Sequence, residues 1–164
     1  MKLLYFIITL LIVLTGICIY TIIIQKKHIK QIENMSSRYS MYYKLLNQWM
    51  KNKAQNKKIT DYLMDNGIKT IAIYGMGEVG QLLYEELKGE QVQVLYFIES
   101  AGGNSIEDRY GKRVIGVKEI NLQEKADAII ITPIYNFENI YNDIVDENVG
   151  TIVLSLEDII YGQK

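Results

Sequence analysis

Residues 70–80 read Thr-Ile-Ala-Ile-Tyr-Gly-Met-Gly-Glu-Val-Gly, an apolar run of β type that breaks into a G-x-G-x-x-G loop at Gly75, Gly77 and Gly80. Gln81-Leu-Leu-Tyr-Glu-Glu-Leu follows at helical spacing. Strand, glycine loop and helix in that order are what a nucleotide diphosphate needs. Glycines let the backbone approach the phosphates, and a helix N-terminus offers unpaired N–H groups and the positive end of its dipole. Gly75, Met76, Gly77, Glu78, Val79 and Gly80 are therefore the expected phosphate cradle. Glu99 stands 24 residues after Gly75, near the spacing of an acid that accepts from a ribose 2′-hydroxyl. An acid there favours NAD over NADP, because it repels a 2′-phosphate. Thr132, at the end of a later apolar run, is expected beside the same crevice, and Ser155 ends the last such run.

Each of these residues has a plainer reading. The glycines serve equally as a tight strand-to-helix turn with no ligand, and Glu99 as a carboxylate solvating a strand end. Glu78 stabilises the first turn of its helix, yet it also places negative charge beside the proposed phosphates. Catalytic groups are sparse: His28 is the lone histidine and Cys18 the lone cysteine, and both precede the globular part. One cysteine permits neither a disulfide framework nor a cysteine metal site within one chain. Tyr84 and Lys88 match the Tyr-x-x-x-Lys spacing of short-chain dehydrogenases, but on the wrong helix, directly after the glycine loop. Glu85 and Glu86 read as an exposed face. No catalytic residue and no metal ligand is assigned, and the residues specify no reaction class.

The elements that must position the loop alternate along the chain. Strands are expected at about 70–74, 92–98, 113–115, 128–132 and 151–154. Helices or helical turns are expected at about 78–88, 117–120, 137–147 and 156–160. A loop over 99–111 carries Gly102-Gly103-Asn104-Ser105. Ala128-Ile-Ile-Ile is the kind of run that parallel sheets bury on both faces. Strand–helix alternation with short connections predicts right-handed βαβ units. The expected fold is α/β: a small Rossmann-like three-layer domain over 68–161, with a parallel sheet of about five strands ordered 3-2-1-4-5. A short helix over 59–66 precedes it, with Gly67 as its stop.

Residues 3–24 are uncharged and almost wholly apolar, long enough to predict a transmembrane helix. Residues 1–60 carry ten Lys/Arg against one acid, and residues 61–164 eight against eighteen. The positive-inside rule then predicts a single-pass cell-membrane protein, with its N-terminus outside, its C-terminal domain cytoplasmic and lipid contacts through 3–24. An acidic domain argues against nucleic acid as a partner. Between span and domain lies a basic helical stalk, 25–66, in which Ile32, Met35, Tyr39, Tyr42, Leu46 and Trp49 are spaced 3-4-3-4-3. That seam could form a coiled-coil homo-oligomer, lie along a membrane interface, or pack on the chain's own domain. Tyrosines suit a tight dimer poorly, so packing or weak self-association is favoured.

From about residue 55 onward the chain resembles small NAD(P)-binding-like Rossmann domains of bacterial capsule, exopolysaccharide and glycosyltransferase gene clusters. The resemblance is carried by Ile59–Leu87, by Ala128-Ile-Ile-Ile-Thr-Pro-Ile-Tyr-Asn-Phe-Glu and by Leu154-Ser-Leu-Glu-Asp-Ile-Ile. More widely, it is similar to the nucleotide-sugar-binding domain of sialic-acid-type sugar acetyltransferases and to the domain ahead of membrane-bound sugar-nucleotide dehydratases. Those have Tyr-Gly-x-Gly, here Tyr74–Gly77, and a second strand ending Phe-Ile-Asp, here Phe97-Ile98-Glu99. A Gly-x-x-Val-x-Gly element is matched by Gly111, Val114 and Gly116. The resemblance implies a nucleotide-binding module, for a nucleotide-sugar or NAD and without a metal, accessory to surface-polysaccharide biosynthesis, with a glycosyltransferase-pathway partner reached through the stalk. An NAD-dependent sugar-nucleotide oxidoreductase or epimerase, and a ligand-free membrane scaffold, are the alternatives.

Overall fold

Five apolar runs become five parallel strands: β1 Thr70–Tyr74, β2 Gln93–Glu99, β3 Val114–Gly116, β4 Ala128–Ile131 and β5 Ile152–Ser155. They form one sheet in the order β3-β2-β1-β4-β5, as the alternation predicts. The computed structural model describes residues 1–100, 110–147 and 150–163, and only the backbone of 3, 4, 7–9 and 11–13. The helices are α1 Lys2–Ala54, α2 Ile59–Asp65, α3 Glu78–Leu87, α4 Phe137–Asp146 and α5 Leu156–Gly162, with 3₁₀ turns at Val117–Leu122 and Ile134–Asn136. Most of the expected loop at 99–111, with its Gly-Gly pair, lies outside the described residues.

The sheet is covered on both faces, which is why β4 is buried throughout. Ala72, Tyr74, Tyr96, Ile98, Ile129 and Ile131 point to one face and pack with Ile140 and Ile144 of α4 and with Ile120. Phe97 points to the other, where its ring meets Tyr84 of α3 at 5.5 Å between centroids. The β1–β2 register shifts between Ile71 and Ala72, so that Ala72 faces Tyr96 and Ile73 faces Phe97. At the opposite end from the loop, the Asp127 carboxylate accepts from the N–H groups of Lys69 and Thr70 at 2.9 and 2.8 Å. Those bonds hold its carboxyl below the usual range.

The chain divides into two compact units, Met1–Tyr42 and Tyr43–Lys164. The first is helical, and its described side chains from Leu14 to Ser40 are exposed. In the second, the sheet domain takes in the end of α1 and all of α2: Leu45, Ile59 and Leu63 are fully buried and Trp49 is 5% exposed. The stretch expected as stalk thus contributes core. Of the seam, Trp49 packs inward while Ile32, Met35 and Tyr39 stay exposed. Asn52 Nδ2 donates to the Ile160 carbonyl at 2.6 Å, and Gln48 Nε2 to Asn52 Oδ1 at 2.8 Å, fastening α1 to α5. Glu86, expected on an exposed face, instead accepts from Trp49 Nε1 and Lys53 Nζ, each at 2.8 Å. Gly67 stops α2 at φ +76, donating to Met64 O while Ile68 N–H donates to Leu63 O. This is the helix-ending pattern that favours glycine.

The expected transmembrane helix over 3–24 is overturned: no helix among the described residues is long and apolar enough to cross a membrane. The described apolar stretch of α1 ends at Ile24. Gln25, Lys26 and Lys27 follow it. Residues 3, 4, 7–9 and 11–13 of the expected span lie outside the described side chains. The single-pass cell-membrane assignment, with its outside N-terminus and cytoplasmic domain, falls with the span.

Candidate functional site

β1 is flanked by β2 on one side and β4 on the other, so the chain reverses direction across the sheet at its carboxyl end. Crevices open at such points, and the residues expected there do converge: the 75–80 loop follows β1, Glu99 ends β2 and Thr132 follows β4.

The three glycines of the loop do three different things. Gly75 lies at φ +95, a left-handed conformation that L side chains rarely adopt, and an added Cβ would stand 2.8 Å from Thr132 Oγ1 and 2.9 Å from the Pro133 ring. Gly80 is the point of close helix–strand approach: an added Cβ would sit on the Gly75 carbonyl oxygen. Gly77 is different. Its φ of −63° and ψ of −179° are ordinary extended backbone, and a Cβ there would meet nothing within 4 Å. Packing and backbone strain require glycine at 75 and 80 and not at 77.

Gly77 is also the N-cap of α3, with no side chain to cap it. The first-turn N–H groups of a helix have no partner within it, so a glycine N-cap leaves them open to whatever approaches. Gly77 and Glu78 are exposed, and Met76 and Val79 half-buried. The Glu78 carboxylate rides on that first turn, where the dipole favours it.

The rest of the loop is fastened. Gly75 N–H donates to Ile98 O at 2.9 Å, extending the β1–β2 ladder by one residue. The Met76 peptide is held on both sides: its N–H donates to Glu99 Oε1 at 2.6 Å, and its carbonyl accepts from Gln81 Nε2 at 3.0 Å. Glu99 therefore does more than solvate a strand end, because its longer side chain reaches back to the loop. Gln81 was not among the residues singled out from sequence, and a glutamine one turn into an amphipathic helix gives no signal of this role.

Thr132 belongs to the framework. It is 3% exposed, and its hydroxyl donates to the carbonyls of Tyr74 and Gly75 at 3.0 and 3.1 Å. It clamps the ends of β1 and β4 together under the loop. Ser155 is likewise occupied, accepting from Glu157 N–H at 3.2 Å as the N-cap of α5. Burial pushes the Tyr74 phenol up, so it stays protonated near neutral pH. Tyr84, of the Tyr-x-x-x-Lys spacing, is packed 4.2 Å from the ring of Tyr110 and 5.5 Å from that of Phe97, while Lys88 is exposed. Among the described residues no group of three or more His, Cys, Asp or Glu could hold a metal ion.

A family model described as C2185-like, N-terminal, matches residues 67–152. The chain belongs to the C2185-like, N-terminal family. The matched stretch of this C2185-like chain runs from the stop of α2 to the start of β5, and so contains the whole 75–80 loop, Gln81, Glu99 and Thr132. No curated protein matches the chain.

Proposed function

We propose that this C2185-like chain is a nucleotide-binding module with a Rossmann-like site, taking a nucleotide-sugar or NAD. The phosphates lie over Gly77 and the first-turn amides of Glu78, Val79 and Gly80. The ribose lies against Glu99, which its bond to Met76 holds at the mouth of the loop. Gly75, Met76 and Thr132 shape the cradle from behind. One observation carries the reading: Gly77 is the glycine that the fold does not need, at the position where a phosphate needs it. The module holds its ligand rather than transforming it, and serves surface-polysaccharide biosynthesis. That last assignment rests on the resemblance of Ile59–Leu87 and Ala128–Glu138 alone.

The test is thermal shift and calorimetry on the full chain with NAD, NADP, a UDP-sugar and CoA. Ligand at 100 times its dissociation constant stabilises by about 2.7 kcal/mol. NAD or the UDP-sugar is expected to stabilise and NADP to fail. No effect from any of the four at millimolar concentration rejects the reading.

A further inference from the structure

Within the unit Met1–Tyr42, α1 is apolar on every side before it turns basic. No residue from 14 to 25 is charged. Leu14, Ile17, Ile19, Tyr20, Ile22 and Ile23 are each about half exposed or more. At ~100° per residue they ring the whole helix, with no gap wider than about 80°. Thr21 adds no free donor, because its hydroxyl donates to the Cys18 carbonyl at 2.8 Å within the same helix. Beyond Gln25 the character changes. Lys26, Lys27 and Lys30 are all exposed, and Glu33 is the one acid in residues 1–60. A helix with one apolar stripe fits a partner on that side, whereas a helix apolar all round fits a medium that surrounds it.

We propose that residues 14–30 bind an anionic lipid surface, the apolar part entering the acyl layer and the lysines meeting the headgroup phosphates. Two observations select lipid over a second copy of the chain. The first is the ring of apolar side chains. A paired helix covers one seam, so with Leu14 and Ile22 turned inward, Tyr20 and Ile23 on the opposite side would stay in water. Lipid covers all sides at once. The second is where the charge lies. Lys26, Lys27 and Lys30 follow directly on the apolar stretch, at the level of the headgroups when that stretch is in the acyl layer. Their long stems stay along the apolar boundary while the ammonium groups reach the phosphates. Three lysines near an anionic surface multiply the partition by on the order of 100, a gain that neutral headgroups do not supply. The contact is with a lipid surface and requires no crossing. This inference is independent of the nucleotide site.

Co-sedimentation of the full chain with vesicles tests it, using phosphatidylcholine alone and phosphatidylcholine mixed with phosphatidylglycerol. Partition onto the mixed vesicles should be at least about tenfold stronger. Lys26→Glu, Lys27→Glu and Lys30→Glu together should abolish that preference. Lys51→Glu, Lys118→Glu and Lys125→Glu, an equal change of charge at exposed positions of the other unit, should leave it. All six positions are exposed, so the fold is retained, as circular dichroism checks. Cys18 is the lone cysteine, exposed on the apolar stretch, and takes a polarity-sensitive fluorophore directly. Its emission should shift to the blue when mixed vesicles are added. Equal partition onto both vesicle types, no partition onto either, or a preference that survives the Lys26/Lys27/Lys30 variant overturns the proposal. So does a label already blue without vesicles, which would mean that a second copy or the chain's own domain covers the stretch.

Discussion

Replacing Gly77 and Gly80 separately by alanine distinguishes a glycine kept for a ligand from one kept for the fold. At 77 the native φ and ψ suit alanine and the added methyl meets nothing within 4 Å. Reduced freedom of the unfolded chain stabilises the variant by about 0.4–1 kcal/mol. Losing glycine at an N-cap costs a comparable amount, on the order of 0.5 kcal/mol. The two offset, and Gly77→Ala should unfold within about 0.5 kcal/mol of the wild type. At 80 the methyl would fall on the Gly75 carbonyl. α3 must then move off β1, which costs at least the upper end of the ~1–3 kcal/mol range for overpacking. Urea denaturation followed by far-UV circular dichroism measures both variants, and each kcal/mol should correspond to roughly 3–5 °C in Tm for a unit of this size. Comparable losses in the two variants would refute the steric division of labour, and so would a stable Gly80→Ala.

Three further outcomes follow from the same bonds. Asn52→Ala strands the buried Ile160 carbonyl and should cost about 1–3 kcal/mol in urea denaturation, whereas Asn47→Ala, at an exposed position on the same helix, should be near neutral. Thr132→Val removes the hydroxyl that donates to Tyr74 and Gly75 and should cost about 1–2 kcal/mol, with ligand affinity falling because the loop loses its support. The Asp127 carboxyl is held low in the fold, so its stabilisation is present above the unfolded value of about 3.9 and lost as pH falls through the lower folded value. Asp127→Asn should therefore be less stable than wild type at pH 6, by no more than about 1 kcal/mol for so exposed a group. The two should converge once pH has fallen below that lower folded value.

The sheet was legible because its strands are written twice, as apolar runs and as the alternation with helices that forces parallel order. Ala128-Ile-Ile-Ile needed cover on both faces, and it has it. Gly75, Gly80 and Gly67 were legible as backbone positions because glycine is demanded there by conformation or closeness. What was hidden depended on which surfaces meet. Glu86 looked solvated because it stands next to Glu85 on a polar flank, and only the folding of Trp49 and Lys53 onto α3 makes it a tie. The α1 seam was read through Trp49 and Tyr42, but two apolar stripes run side by side on that helix, and tertiary packing decides which turns inward. Thr132 follows β4 next to the loop, and its hydroxyl is spent on the backbone. Glu99 differs from the expected aspartate by one methylene, enough to reach the Met76 amide. The apolar N-terminal stretch misled by its composition, since no described helix is apolar over the length that a bilayer needs.

Gly77→Arg tests the central claim most directly. A long side chain there fills the space above the first turn of α3 while leaving the fold intact, since the position is open. Isothermal titration of the full-length wild type with NAD and with a UDP-sugar should show binding of at least one of them, and Gly77→Arg, with an unchanged melting temperature, should abolish it. Wild-type binding that survives Gly77→Arg would place the ligand elsewhere and contradict the account.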